Sequence, residues 1–207
     1  MRQRVITAVI ALVLFLPIIF FDFGGISVQL LGALLAVVGV YELFRMKGLA
    51  IISFEGILSI IGALVLVLPN NPWFSYLPDT TDKLILFYFI VMLLLGVSVL
   101  SKNMYTIDEA GFPVLVSLYV GVGLQNFVEA RSTGLLLLLF GLFIVWATYI
   151  GAYMVGRKYG KRSLWPAISP NKTVEGAIGG ILSALFIAIV FLIIYPGSLY
   201  FEYGSFI

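Results

Sequence analysis

The sequence predicts an all-α fold, a polytopic membrane helix bundle of about seven transmembrane helices with a cytoplasmic N-terminus. Three observations predict it. The composition is 62% hydrophobic and only 11% charged, with a mean hydropathy of +1.14, which no soluble domain of 207 residues requires. Apolar stretches recur at nearly the length, about 20 residues, that a ~30 Å hydrocarbon core demands of a helix. The cations fall almost entirely on alternate connections, which fixes the orientation.

The spans are expected near residues 5–21, 25–41, 50–68, 84–100, 111–128, 134–155 and 173–195. The first follows Met1-Arg2-Gln3-Arg4 and reaches Phe20-Phe21-Asp22 without a small-x-small cleavage pattern, so an uncleaved anchor is expected. Polar connections separate the spans at Asp22 to Gly24, Glu42 to Leu49, Pro69 to Lys83, Ser101 to Ala110, Glu129 to Thr133 and Gly156 to Lys172. Pro69, Pro72 and Pro78 suit a non-helical outer loop. Alternation from an inner N-terminus puts Arg2, Arg4, Arg45, Lys47, Lys102, Arg157, Lys158, Lys161, Arg162 and Lys172 inside, and only Lys83 and Arg131 outside. That asymmetry predicts an inner N-terminus and an outer C-terminus, and the chain reads as a single multi-pass integral membrane domain over 1–207.

Small residues at three- and four-residue spacing, Gly176, Gly179, Gly180, Ser183 and Ala184, predict close helix–helix packing. Gly96, Gly121 and Gly123 read the same way. Glu42 and Glu55 fall near inner helix ends, where interfacial or packing roles are expected, with Glu42 a partner for a basic residue. Trp73, Tyr76 and Trp165 suit interfacial anchors.

The chain has no cysteine and no histidine, so disulfides, thiolate nucleophiles, imidazole bases and His-ligated metals are excluded. Chemistry must come from carboxylates, Lys, Arg, hydroxyls or an oxygen-bound metal. Arg157, Lys158, Lys161 and Arg162 concentrate four cations, and a helical turn would put Arg157 with Lys161 and Lys158 with Arg162. Basic inner loops are also a general topological feature that attracts anionic lipid. Beyond them, Ser169 and Pro170 suit the N-cap and first turn of a helix whose open N–H groups attract anions. Lys172 adds a charge there, Thr173 a hydroxyl, and Glu175 a carboxylate placed to hold Lys172 or to help place a cation. A capped helix with snorkelling Lys and Glu side chains is the bland alternative.

These residues carry a resemblance. Val145-Trp146, Gly151-Ala152-Tyr153, Gly156-Arg157, Gly160-Lys161 and the run Ser169-Pro170-Asn171-Lys172-Thr173-Val174-Glu175-Gly176-Ala177-Ile178-Gly179-Gly180 resemble the bacterial phosphatidate cytidylyltransferase (CDP-diacylglycerol synthase) family. Support continues upstream through Leu100-Ser101-Lys102-Asn103, Tyr119-Val120-Gly121 and Glu129-Ala130-Arg131-Ser132, so most of the chain is covered. The resemblance implies an enzyme of phospholipid synthesis that joins CTP to phosphatidate and releases pyrophosphate, working on the cytoplasmic side with Mg2+. It implies catalytic roles for Lys172 and Glu175, and substrate binding by Arg157, Lys161, Ser169, Asn171 and Thr173. Membrane lipids are expected partners, a homodimer is allowed, and no nucleic acid is expected.

Two departures bear on the metal. Tyr149 stands where the family carries an Asp two residues before the Gly-Ala-Tyr triplet, and a neutral phenol, with a pKa of about 10, does not replace a carboxylate. The family also continues to a C-terminal signature with metal-binding Asp residues, so the chain corresponds to the N-terminal three-quarters of such an enzyme. As an isolated chain it is expected to be incomplete or inactive. The alternatives from the residues are a membrane scaffold or transporter that binds anionic headgroups, and a related enzyme using another lipid phosphate.

Overall fold

A computed structural model describes residues 12–21, 25–78, 82–100 and 105–196. The expected connection at Asp22 to Gly24, the basic residues Arg2, Arg4 and Lys102, the start of the first span and the end of the chain lie outside the described residues. The chain divides into two compact units, Met1–Thr133 and Gly134–Ile207.

In the first unit, helical residues 12–20 (α1) precede α2 (Ile26–Met46), α3 (Phe54–Val67), the single turn α4 (Asn70–Trp73), α5 (Lys83–Leu100) and α6 (Ile107–Thr133). The second unit holds α7 (Leu135–Tyr159), strands β1 (Ser163–Trp165) and β2 (Ser169–Thr173), and α8 (Val174–Ile194). Among the described residues, α2, α5, α6, α7 and α8 are long and apolar enough to cross a membrane. The expected all-α membrane bundle is therefore observed in its main lines, with one small antiparallel hairpin added to it.

The boundaries differ from those expected wherever capping or burial outweighs polarity. α2 continues to Met46 because Phe44 follows Ala36 and Val40 on one face and is completely buried. Glu42 and Arg45 sit on its exposed side, 3.8 Å apart. The helix stops at Gly48, whose φ of 74° suits glycine, with Gly48 N–H donating to Arg45 O at 3.0 Å and Leu49 N–H to Phe44 O at 2.9 Å.

α6 begins at Ile107 rather than near 111, because Thr106 and Glu109 form a reciprocal capping box. Thr106 N–H donates to Glu109 Oε2 at 2.7 Å, and Glu109 N–H donates to Thr106 Oγ1 at 3.3 Å. The same helix runs on through the expected loop at 129–133. There the Ser132 and Thr133 hydroxyls donate to Glu129 O, at 2.8 and 2.9 Å, and Arg131 Nε donates to Ile19 O at 3.0 Å. The Pro-rich connection contains the α4 turn, and Trp73 donates its indole N–H to Gln29 Oε1 at 2.7 Å instead of acting only as an anchor.

α3 is short: its 14 residues give roughly 21 Å of helix, less than a ~30 Å core. Ser53 caps it, accepting from Gly56 N–H at 3.2 Å. Its face packs Ala63 and Val67 against Ala36, Val40 and Phe44 of α2 and Val116, Val120 and Val128 of α6. Gly121 permits that approach, since a Cβ there would lie 2.9 Å from Leu66 Cβ. Gly96 and Gly123 do not share this role; among the described residues nothing lies within 4 Å of where their side chains would start. At the centre of the α3–α6 contact, Ser59 and Ser117 are buried, their hydroxyls 3.0 Å apart and both bonded to Pro113 O.

Candidate functional site

The second unit is built around a tight antiparallel helix pair. Small residues on α8 meet small residues on α7: a Cβ on Gly151 would collide with Ser183, one on Gly179 would lie 2.5 Å from Val155, and one on Gly180 would lie 3.0 Å from Thr148 O. Nearest the hairpin, Gly156 and Gly176 face each other, with a Gly176 Cβ falling 2.9 Å from Ala152 O and 3.1 Å from Gly156 Cα. The expected glycine stripe of α8 is therefore the surface that receives α7, at the close range small residues allow. This contact fixes the C-terminus of α7 beside the N-terminus of α8.

Between these ends the chain forms a hairpin. Ser163 pairs with Thr173 and Trp165 with Ser169, with an irregularity between the pairs, and Ile168 N–H closes the turn onto Trp165 O at 3.2 Å. Ser163 Oγ donates to Pro170 O at 3.1 Å, and Val174 N–H donates to Arg162 O at 3.0 Å. Pro170, which lacks an N–H, is tolerated on a two-stranded edge.

This geometry corrects the expected helix start. Ser169 and Pro170 belong to β2, and the N-cap of α8 is Thr173, in extended conformation with Oγ1 accepting from Gly176 N–H at 3.2 Å. The physical reason is competition: pairing with β1 satisfies the backbone of 169–173, so the helix begins only where that pairing ends. The expected sharing of sides by Arg157 with Lys161, and by Lys158 with Arg162, is also corrected. α7 ends at Tyr159, and Gly160 leaves it in extended conformation pressed against Thr173, whose side chain a Cβ would approach to 2.7 Å.

Glu175 holds the two sides of this loop together. Its Oε2 accepts from the backbone N–H of Lys161 at 3.1 Å and of Arg162 at 3.3 Å. The carboxylate thus serves the chain just after α7, and among the described residues it makes no ion pair with Lys172. Arg157 Nη1 contacts the Tyr153 hydroxyl at 3.3 Å, and Lys158 Nζ lies 5.2 Å from the Tyr159 ring centroid. Arg157, Lys158, Lys161, Arg162, Asn171 and Lys172 are exposed, Ser169 and Thr173 half-buried. Five cations and the single carboxylate Glu175 therefore occupy residues 157–175, a strongly positive surface at the end of a helix pair.

Tyr149 is 74% exposed on α7, in helical register with Tyr153 and Arg157. Among the described residues no three acidic side chains gather as a metal would need, and Glu175 Oε2 is engaged by backbone donors. The residues described thus do not fit a Mg2+ site. The Glu175 clasp on the Lys161 and Arg162 amides is the contact of this loop that the sequence does not display. Its signal was a carboxylate in the first turn following a glycine-broken basic segment.

Five described helices long and apolar enough to cross a membrane, and a basic helix–hairpin–helix, point to a membrane protein with a cationic surface. The chain belongs to the cytidylyltransferase family, whose sequence profile it matches over residues 2–206. It is 42% identical over 194 residues to a phosphatidate cytidylyltransferase of Staphylococcus saprophyticus subsp. saprophyticus, covering 93% of this chain and 72% of that one. Proteins of the same name from Staphylococcus haemolyticus and Staphylococcus aureus (strain COL) are 41% and 39% identical over the same length and coverage. No solved structure matches the chain.

Proposed function

We propose that this protein is a phosphatidate cytidylyltransferase, which makes CDP-diacylglycerol and pyrophosphate from CTP and phosphatidate in phospholipid synthesis. An oxygen of the lipid phosphate attacks the α-phosphorus of CTP, forming the new P–O bond. The bond from that phosphorus to the bridging oxygen breaks, and its electron pair leaves with pyrophosphate. Both reactants are anions, so the task is to bring phosphates together and to stabilise charge on the leaving group.

The observation that carries this reading is the basic helix–hairpin–helix, because the residues of the family-like block are those that build it. Arg157, Lys161 and Lys172 contact phosphates, with Lys172 the charge that strengthens its hold as the pyrophosphate leaves. Ser169 and Asn171 supply hydrogen bonds. Thr173 keeps the first turn of α8 formed, and Glu175 keeps Lys161 and Arg162 in place through their backbone. The hairpin faces the cytoplasm of a multi-pass bacterial cell-membrane protein, where CTP is available; the positive-inside charge distribution supports this side.

The test uses membranes bearing the chain joined to a family-type C-terminal segment that supplies metal-binding Asp residues, in a host depleted of its own enzyme, with phosphatidate and CTP labelled at the α or the γ phosphorus. The α label is expected in lipid and the γ label in pyrophosphate. Lipid carrying the γ label, or no labelled lipid at all, contradicts the assignment.

A further inference from the structure

At one end of the first unit, the C-terminus of α3, the N-terminal ends of α2 and α5, and the last turns of α6 surround a cavity of ≈ 400 Å3. Its polar lining includes Gln29, Lys83, Gln125, Glu129 and Ser132. α3 ends at Val67, and its last carbonyls have no partner within the helix, so they need donors from neighbouring elements. Lys83 Nζ donates to Leu66 O at 3.2 Å. With its carboxamide turned to satisfy both atoms, Gln125 donates to the same carbonyl at 3.3 Å and accepts from Lys83 at 3.1 Å.

Capping α3 does not exhaust this set. An ammonium has three donors, and two are used. Gln29, only 9% exposed, gives its oxygen to Trp73 and keeps its amide N–H groups. Glu129 lines the same cavity, yet among the described residues no ion pair joins it to Lys83. Lys83 is half-buried and Glu129 exposed, so two opposite charges line one open cavity without closing on each other as an ion pair. A simple anion would meet the repulsion of Glu129, and a simple cation that of Lys83. A ligand carrying both charges meets neither.

We propose that this cavity binds the headgroup of a lipid whose phosphodiester carries an ammonium group, with the phosphate toward Lys83 and Gln29 and the ammonium toward Glu129. A lipid is the source because the cavity opens among helices whose outer faces carry exposed large apolar side chains, Leu30, Leu84 and Ile85 among them. The volume lies within the usual range for ligand sites, about 300–1,000 Å3.

Trp73 reports on the cavity through Gln29, so Trp146→Phe and Trp165→Phe in the full chain isolate its fluorescence. The micellar protein is titrated with dihexanoyl phosphatidylethanolamine, dihexanoyl phosphatidylglycerol and water-soluble glycerophosphoethanolamine. A saturable change is expected with the ethanolamine lipid, at least tenfold weaker with the glycerol lipid and with the soluble headgroup. Glu129→Gln should abolish the preference between the lipids, and Lys83→Gln should weaken both. Equal binding of the two lipids, or a preference that survives Glu129→Gln, overturns the proposal. Saturation by glycerophosphoethanolamine at the same concentration assigns the site to a free solute and overturns the lipid assignment. If Lys83→Gln fails to fold, the Glu129→Gln comparison decides alone.

Discussion

At the residue scale, Glu175 and Thr173 show how one first turn organises a loop. Thr173 was legible as a hydroxyl beside a helix start, but its role as the cap was not, because Ser169-Pro170 offers an equally good cap pattern. Only the pairing of β2 with β1 decides between them. Thr173→Ala should destabilise the α7–α8 unit by about 0.5–2 kcal/mol, while Thr173→Ser should retain most of the stability, as read by thermal unfolding in detergent. Glu175→Gln should speed hydrogen exchange at the amides of Lys161 and Arg162 severalfold and lower turnover, because a charged acceptor shared by two donors becomes a neutral one. Unchanged exchange at those two amides would show that the clasp does not hold the loop.

At the element scale, apolar length located the helices well: α5 was expected at 84–100 and spans Lys83–Leu100, and α8 was expected at 173–195 and spans Val174–Ile194. Polar ends were less legible. Asp108 and Glu109 read as loop residues although Thr106 and Glu109 spell a capping box, and the bond from Arg131 to Ile19 O joins residues too far apart in sequence to be read. The hairpin could not be read at all, since Ser163–Trp165 and Ser169–Thr173 show no period-two pattern and pair only because α7 and α8 bring their ends together. That helix contact makes its own prediction. Gly151→Ala should cost about 1–3 kcal/mol by overpacking against Ser183, and Ser183→Gly should restore part of the loss in the double variant. Additive losses measured by unfolding would refute direct contact.

At the scale of the whole molecule, hydropathy and charge were enough to predict a membrane bundle, and the glycine-rich block was enough to indicate the family, because both are carried by local sequence. Sidedness depends on the complete set of crossings and is tested from outside: Ser163→Cys should be labelled only from the cytoplasmic face and Ser75→Cys only from the opposite one. The native chain has no cysteine, so each label reports one site. The central claim is that the basic hairpin is where CTP and phosphatidate meet. The most direct measurement is transfer of the α-phosphorus label from CTP to lipid by Lys172→Ala in the chain joined to the family-type C-terminal segment, in membranes where the variant is inserted and folded like the parent. Loss of a charge-assisted phosphate contact worth roughly 1.5–3 kcal/mol predicts a fall of about ten- to a hundredfold, partly recovered by Lys172→Arg. A rate equal to that of the parent protein would contradict the account.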